Sequence, residues 1–312
     1  MAALDQLISI KDLTPASVHE VLLGAKLFSK NIHSPLLSNQ TIALLFFENS
    51  TRTKISFELA IKKLSGSSVY FSSSGSSMSK GETVLDTTQT IRAMGVNGFI
   101  VRHQTAGVPL SIKLSLNLPV INAGDGTHEH PTQALLDIFT LIEHFKDIKN
   151  KKILILGDTN QRVARSNIKL LKMLGAEVIL CGPHTLINKN FLSLGVKIET
   201  DLDQIIGSVD AIMALRIQTE RQNSMQIPNV NEFRKFWGVT ASRLKSIKKD
   251  TVILHPGPTN WGVELDYEVS DDSRSLISKQ VQNGLFVRMS VLSKIFNPNG
   301  FKDFLENKGK QL

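Results

Sequence analysis

A single cysteine, Cys181, stands in 312 residues, with only two tryptophans and two tyrosines. One cysteine excludes an internal disulfide framework and a cysteine-rich zinc site, and it fits a reducing, cytoplasmic setting. So few Trp and Tyr leave little surface for stacking nucleobases. No apolar run approaches the roughly 20 residues that span a bilayer. The opening Met1-Ala2-Ala3-Leu4-Asp5-Gln6 lacks the basic stretch and apolar run of a secretory signal. The Gly-x-Gly-x-x-Gly fingerprint is missing at Gly157-Asp158, where a dinucleotide fold would carry it, so NAD is not expected. His128 and His130 sit in a glycine-rich loop without the further ligands zinc needs. Neither a metal nor another cofactor is expected.

What is present is an ordinary globular composition, 41% apolar and 21% charged, with a formal charge of +8. The basic residues are scattered along the chain. Scattered cations without a nucleic-acid motif suit an enzyme that gathers small anionic substrates better than a nucleic-acid binder. The length suggests about two domains at ~150 residues each.

Short apolar runs alternate with helical periodicity. Strands are predicted at Ile42–Phe47, Ser68–Phe71, Phe99–Val101 and Val120–Asn122, with helices at 55–64, 83–94 and 109–115 between them. A capped helix precedes them from Pro15, and a longer one follows from Pro131. The rhythm restarts with strands at Lys152–Leu156, Val178–Cys181, Ala211–Leu215 and Val252–Leu254. Such alternation implies parallel sheets with right-handed crossovers. The expected fold is therefore α/β: two doubly wound domains, each with a mostly parallel central sheet, linked by a helix. Residues 218–240 read as a long irregular loop, Leu285–Phe296 as a final helix, and the residues after Pro298 as a polar tail.

Polar clusters fall at the strand ends, where open α/β sheets bind ligands. After the first strand, Ser50, Thr51, Arg52 and Thr53 occupy a strand-to-helix corner, and Gly66 sits where a left-handed cap would end that helix. Free N–H groups and the positive end of the helix dipole make such a corner either an anion site or an ordinary Ser/Thr cap. Other strand ends carry Ser76 with Lys80, Arg102-His103, the stretch 122–133, Asp158 leading to Arg162, Arg216 with Gln218 and Arg221, and His255-Pro256-Gly257-Pro258. A cleft lined by Arg52, Lys80, Arg102, Arg162 and Arg216 would take a phosphate and one or more carboxylates.

These segments resemble the aspartate/ornithine carbamoyltransferase superfamily over nearly the full length. They are Phe-Phe-Glu-x-Ser-Thr-Arg-Thr-Lys-x-Ser-Phe-Glu at 46–58, Ser-x-x-x-Lys-Gly-Glu-Thr at 76–83, Asn-Ala-Gly-Asp-Gly-x-x-x-His-Pro-Thr-Gln at 122–133, Leu-Arg-x-Gln-x-Glu-Arg at 215–221, His-Pro-Gly-Pro at 255–258 and Gln-Val-x-Asn-Gly at 280–284. Ornithine enzymes carry His-Cys-Leu-Pro where His255-Pro256-Gly257-Pro258 stands. The resemblance is therefore to the aspartate branch, whose catalytic chain makes N-carbamoyl-L-aspartate in pyrimidine biosynthesis.

By matched position, the resemblance implies that Ser50, Thr51, Arg52, Thr53 and Ser76 hold the phosphate of carbamoyl phosphate. Thr53, Arg102 and His130 would polarise its carbonyl, an oxyanion-type role. Gln133 and the backbone at Pro256, Gly257 and Pro258 would grip its amide. Lys80, Arg162, Arg216 and Gln218 would bind aspartate, and Glu48 would pair with Arg162 and Arg221 on closure. It implies a carbamoyl-phosphate-binding domain of residues 1–134 plus about 285–312, the last helix returning to it, and an aspartate-binding domain of residues 135–284. It further implies a homotrimer in which Ser76 and Lys80 enter a neighbour's site. A regulatory or dihydroorotase partner is left open. Two departures stand out. Three residues, not the family's usual four, separate Asp158 from Arg162, and Trp261 follows Asn260 where arginine is common.

Overall fold

The computed structural model describes residues 4–30, 33–72, 81–217 and 229–309. They divide into two compact units, Met1–Phe139 with Val281–Leu312, and Thr140–Gln280.

The first unit holds β1 (Gln6–Leu7), β2 (Thr41–Phe46), β3 (Ser67–Ser72), β4 (Gly98–His103) and β5 (Val120–Asp125). The connecting helices are α1 (Pro15–Lys30), α2 (Thr51–Lys63), α3 (Val84–Ala93) and α4 (Val108–Leu116), and α5 (Pro131–Phe145) follows the last strand. Strand order is β1-β5-β4-β2-β3 with every pairing parallel. Ile42 to Phe46 is buried without interruption, as a strand covered on both faces requires. From β2 the chain crosses to β3 on one side, and β4 then lies on the other. The crossovers thus diverge between β2 and β4, a topological switch point where ligands bind. There Phe46 pairs with Arg102.

The second unit repeats the pattern with β6 (Lys152–Leu156), β7 (Glu177–Cys181), β8 (Lys197–Glu199), β9 (Ala211–Ala214) and β10 (Val252–Leu254), ordered β10-β9-β6-β7-β8 and again all parallel. Its switch point lies between β6 and β9, where Leu156 pairs with Ala214, so Asp158 and Arg216 each follow by two residues. The helices are α6 (Arg162–Met173), α7 (Leu202–Ile205), α8 (Val230–Trp237), α9 (Ala241–Leu244) and α10 (Glu268–Asp271). Helix α11 (Ile277–Phe296) starts in this unit and ends in the first, and α12 (Pro298–Gly309) completes the first.

The sequence expectations require five corrections. The helix expected from 55 starts at Thr51, so the polar corner is its first turn. Its left-handed end is Ser65, with φ of 62°, not Gly66. Within the stretch taken as irregular, Asn229 caps α8 by accepting from Glu232 N at 2.8 Å, a short Asn-x-x-Glu start that the preceding polar run obscured. The supposed polar tail is α12. Its Phe301 and Leu305 are buried, and Phe304 stacks on Phe28 at 4.6 Å. Helix α11 also extends eight residues ahead of Leu285, through Ile277 to Gly284, whose polar residues hide the periodicity.

Gly24 of α1 is the seat for α12: a Cβ there would lie 2.7 Å from the Phe301 ring and also against Ser290 of α11. Phe301→Ala is expected to destabilise the chain by about 3 to 5 kcal/mol in urea unfolding, as for a buried aromatic. A loss under about 1 kcal/mol would return 298–309 to the status of a tail.

Candidate active site

In the first unit, β2 ends at Phe46 and Phe47 N donates to Arg102 O at 2.9 Å, so the two strand ends stay joined past the sheet. Ser50 is the N-cap of α2, extended at φ −161°, and among the described residues its side chain makes no capping bond. An ordinary cap would have its hydroxyl on the second or third helical N–H. That bond is missing, which leaves first-turn donors of a 13-residue helix to an anion. Thr53 is buried while Thr51 and Arg52 are exposed. At the adjoining strand end, Arg102 meets Glu48 (Nε to Oε2, 3.4 Å) and donates through Nη1 to Ala123 O at 3.1 Å. Its guanidinium is therefore held across the ends of β2, β4 and β5.

The stretch 122–130 is a self-supporting loop. Asp125, fully buried, accepts from Gly107 N (2.7 Å), Asn122 Nδ2 (2.7 Å) and Glu129 N (3.2 Å), and His128 Nδ1 lies 3.1 Å from both its oxygens. The buried Glu129 reaches back to the first residues of the unit, accepting from Ser9 Oγ (3.0 Å) and Ile10 N (2.8 Å). Gly126 is required where it stands: its φ is +45° and a Cβ would meet Ala106 N at 2.7 Å. These bonds fix the backbone that delivers His130, itself buried, to the start of α5. One turn on, Gln133 Nε2 donates to Asp137 Oδ1 at 2.9 Å. His103 beside this loop accepts from Thr105 N on Nδ1 (2.8 Å), and burial pushes its imidazole below its ordinary pKa.

In the second unit, the loop after β6 is tied to the end of β9. Gln161 Nε2 donates to Arg216 O at 2.7 Å and to Asp158 Oδ2 at 3.3 Å, and Asn160 N donates to Asp158 Oδ1 at 3.0 Å. The shortened loop therefore still starts α6 beside Arg216, with Arg162, mostly buried, as its first residue. Burial raises the Asp158 carboxyl above its ordinary value. Arg216 Nε donates to Asn260 Oδ1 (3.3 Å), and Asn260 donates through Nδ2 to Ile217 O (3.0 Å) and through its backbone N to Glu264 Oε1 (2.8 Å).

The same carboxylate oxygen lies 3.2 Å from His255 Nε2, while His255 Nδ1 accepts from Gly257 N at 2.9 Å. An acceptor at Nδ1 puts the proton on Nε2, facing Glu264. One network thus joins Arg216 to the His255–Pro258 turn, where Gly257 takes φ +68° and the Gly257–Pro258 bond is cis. Trp261 stacks on Tyr267 with ring centroids 6.0 Å apart.

The structure accordingly brings together Ser50, Thr51, Arg52, Thr53, Arg102, His130 and Gln133 on strand ends and helix starts of the first unit. It places Arg162, Arg216, Gly257 and Pro258 on those of the second. Ser76, Lys80, Gln218 and Arg221 lie outside the described residues. Sequence reading assigned no role to Asp125, Glu129, Asp137, Asn260 or Glu264. The i, i+4 spacing of Gln133 and Asp137 was a usable signal for one of them.

Two family models match the chain. The aspartate/ornithine carbamoyltransferase carbamoyl-P binding domain covers residues 5–143, and the Asp/Orn binding domain of the same family covers residues 149–295. The aspartate carbamoyltransferase catalytic subunit of Cytophaga hutchinsonii is 47% identical over 292 residues, 92% of this chain and 95% of that one. The protein of the same name from Acetivibrio thermocellus is also 47% identical, over 92% of this chain and 94% of its own. A crystal structure of aspartate transcarbamoylase from Trypanosoma cruzi in complex with carbamoyl phosphate and aspartate superposes with a TM-score of 0.85 at 28% identity, covering 94% of this chain and 97% of that one.

The one cysteine ends β7 in the core of the second unit, and burial pushes its thiol up to about 12. Below that pH the group stays a thiol, which is not nucleophilic. Iodoacetamide at pH 8 is therefore expected to leave the native chain unlabelled and to label it once after unfolding. Labelling of the native chain at a free-thiol rate would contradict this packing.

Proposed function

The chain belongs to the aspartate/ornithine carbamoyltransferase family, and from that premise we propose that it is an aspartate carbamoyltransferase. It transfers the carbamoyl group of carbamoyl phosphate to the amine of L-aspartate, giving N-carbamoyl-L-aspartate and phosphate for pyrimidine biosynthesis. The observation that carries this reading is the uncapped start of α2 beside Arg102, an anion site built from the Ser50–Thr53 corner. The aspartate branch is favoured by His255-Pro256-Gly257-Pro258 and by Arg216, whose guanidinium Asn260 holds for a carboxylate.

In this reading Ser50, Thr51, Arg52 and Thr53, with Ser76, bind the phosphate through hydroxyls, amides and a guanidinium. Thr53, Arg102 and His130 donate to the carbamoyl oxygen, where negative charge develops as the amine attacks. Gln133 and the backbone at 256–258 take the carbamoyl amide. Lys80, Arg162, Arg216 and Gln218 bind the dicarboxylate. The neutral amine adds to the carbonyl carbon, the carbon–oxygen bond to phosphate breaks, and the departing phosphate takes the amine proton. The substrate is itself an activated anhydride, so holding two anions in reacting geometry supplies much of the rate. Ser76 and Lys80 come from a neighbouring copy in a cytoplasmic homotrimer.

Incubation with carbamoyl phosphate and either aspartate or ornithine is expected to yield carbamoyl-aspartate alone; citrulline, or no product with either amine, would reject the assignment. Arg52→Ala should lower kcat/KM about 10²- to 10³-fold, the usual cost of one preorganised donor. Mixing the impaired Arg52→Ala and Lys80→Ala chains under subunit exchange should raise activity above that of either variant alone. No recovery in exchanged trimers would count against a shared site.

A further inference from the structure

Arg288 of α11 is almost wholly buried, yet the mechanism above gives it no part. Its guanidinium lies 5.0 Å from the Phe57 ring of α2, and Nη1 donates to Gly284 O at 3.2 Å. Room for it is made by Gly284, where a Cβ would come within 2.7 Å of Nη1. Burial pushes the guanidinium down to about 10, and the charge that opposes this is Asp137. Asp137 is itself fully buried, one turn along α5 from Gln133, whose Nε2 donates to Asp137 Oδ1 at 2.9 Å. The Gln133 side chain is 7% exposed.

An ionised carboxylate only accepts hydrogen bonds, whereas a glutamine amide has one accepting and one donating end. A neighbouring guanidinium favours the ionised carboxylate. The bond to Asp137 therefore decides which end of the Gln133 amide is spoken for. Nε2 turns to Asp137, and Oε1 is the end that remains for a ligand.

We propose that Asp137, by accepting from Gln133 Nε2, is a positioning residue that presents Gln133 Oε1 as an acceptor. It thereby selects a carbamoyl NH2 against acyl phosphates that carry no N–H at that position. This rests on the reading of Gln133 as the group that meets the carbamoyl amide. In the flipped orientation the amide would offer N–H to N–H and reject the same substrate. The arrangement also gives the Gln-Val-x-Asn-Gly segment a physical reason: Gly284 lets the arginine lie back along its own helix beneath α2 and α5.

Carbamoyl phosphate and acetyl phosphate differ by NH2 against CH3, so the ratio of their dissociation constants isolates this contact and cancels the phosphate contacts. Titration calorimetry on the full chain should show a preference for carbamoyl phosphate. In Asp137→Asn, whose amide permits both orientations of Gln133, that preference should fall about fivefold to tenfold, the worth of one hydrogen bond, with acetyl phosphate binding unchanged. Because that variant leaves Arg288 buried without its carboxylate, Asp137→Asn/Arg288→Met removes both charges and should show the same fall. An unchanged ratio in the double variant, or equal weakening of both ligands, overturns the proposal. Absence of any preference in the unmutated chain overturns the reading of Gln133 itself, and the proposal with it.

Discussion

Parallel pairing at two switch points is the constraint on which the rest depends. Because β2 lies in register with β4, Phe46 faces Arg102, and the main chain continues that pairing through Phe47 N to Arg102 O. Because β6 lies in register with β9, the loop holding Asp158 meets the one holding Arg216, and Gln161 bonds them. Neither arginine reaches its place through a long flexible loop. Arg102 lies within β4 and Arg216 follows β9 by two residues, so the rigidity of each sheet is passed directly to the charge.

Around those fixed points the chain spends buried polar residues on support. Asp125 and Glu129 organise the loop before His130, and Asn260 with Glu264 joins Arg216 to the 255–258 turn. Buried carboxylates are costly unless their oxygens are satisfied. Asp125 and Glu129 accept from several donors, including backbone N–H groups. Such bonds make each loop part of the core of its own unit.

Much of this was legible in the residues. The continuous apolar run at 42–46 and its counterparts gave the parallel sheets, and the polar clusters at strand ends put Arg102 and Arg216 at the two switch points. What escaped had physical causes. The two-residue β1 and three-residue β8 are too short to show a period. Helix α12 buries Phe301 and Leu305 within a mostly polar composition, and its packing on Gly24 is a long-range fact. The roles of Glu129 and Glu264 depend on contacts across the fold or around a turn, to which local periodicity is blind. The Ser50 corner shows the reverse: its sequence fitted a common cap, and only the missing capping bond favours an anion.

The central claim is that this chain holds a phosphate and a dicarboxylate in reacting proximity. A single molecule bearing a phosphonate joined to L-aspartate through an uncharged amide tests it most directly. Such a compound should inhibit competitively with carbamoyl phosphate and bind at least about 10²-fold tighter than either substrate, as expected of a mimic of the reacting complex. Replacing its side-chain carboxylate by an aminoethyl group should abolish that gain. Equal binding of the two compounds, or binding of the first no tighter than phosphate alone, would contradict the account.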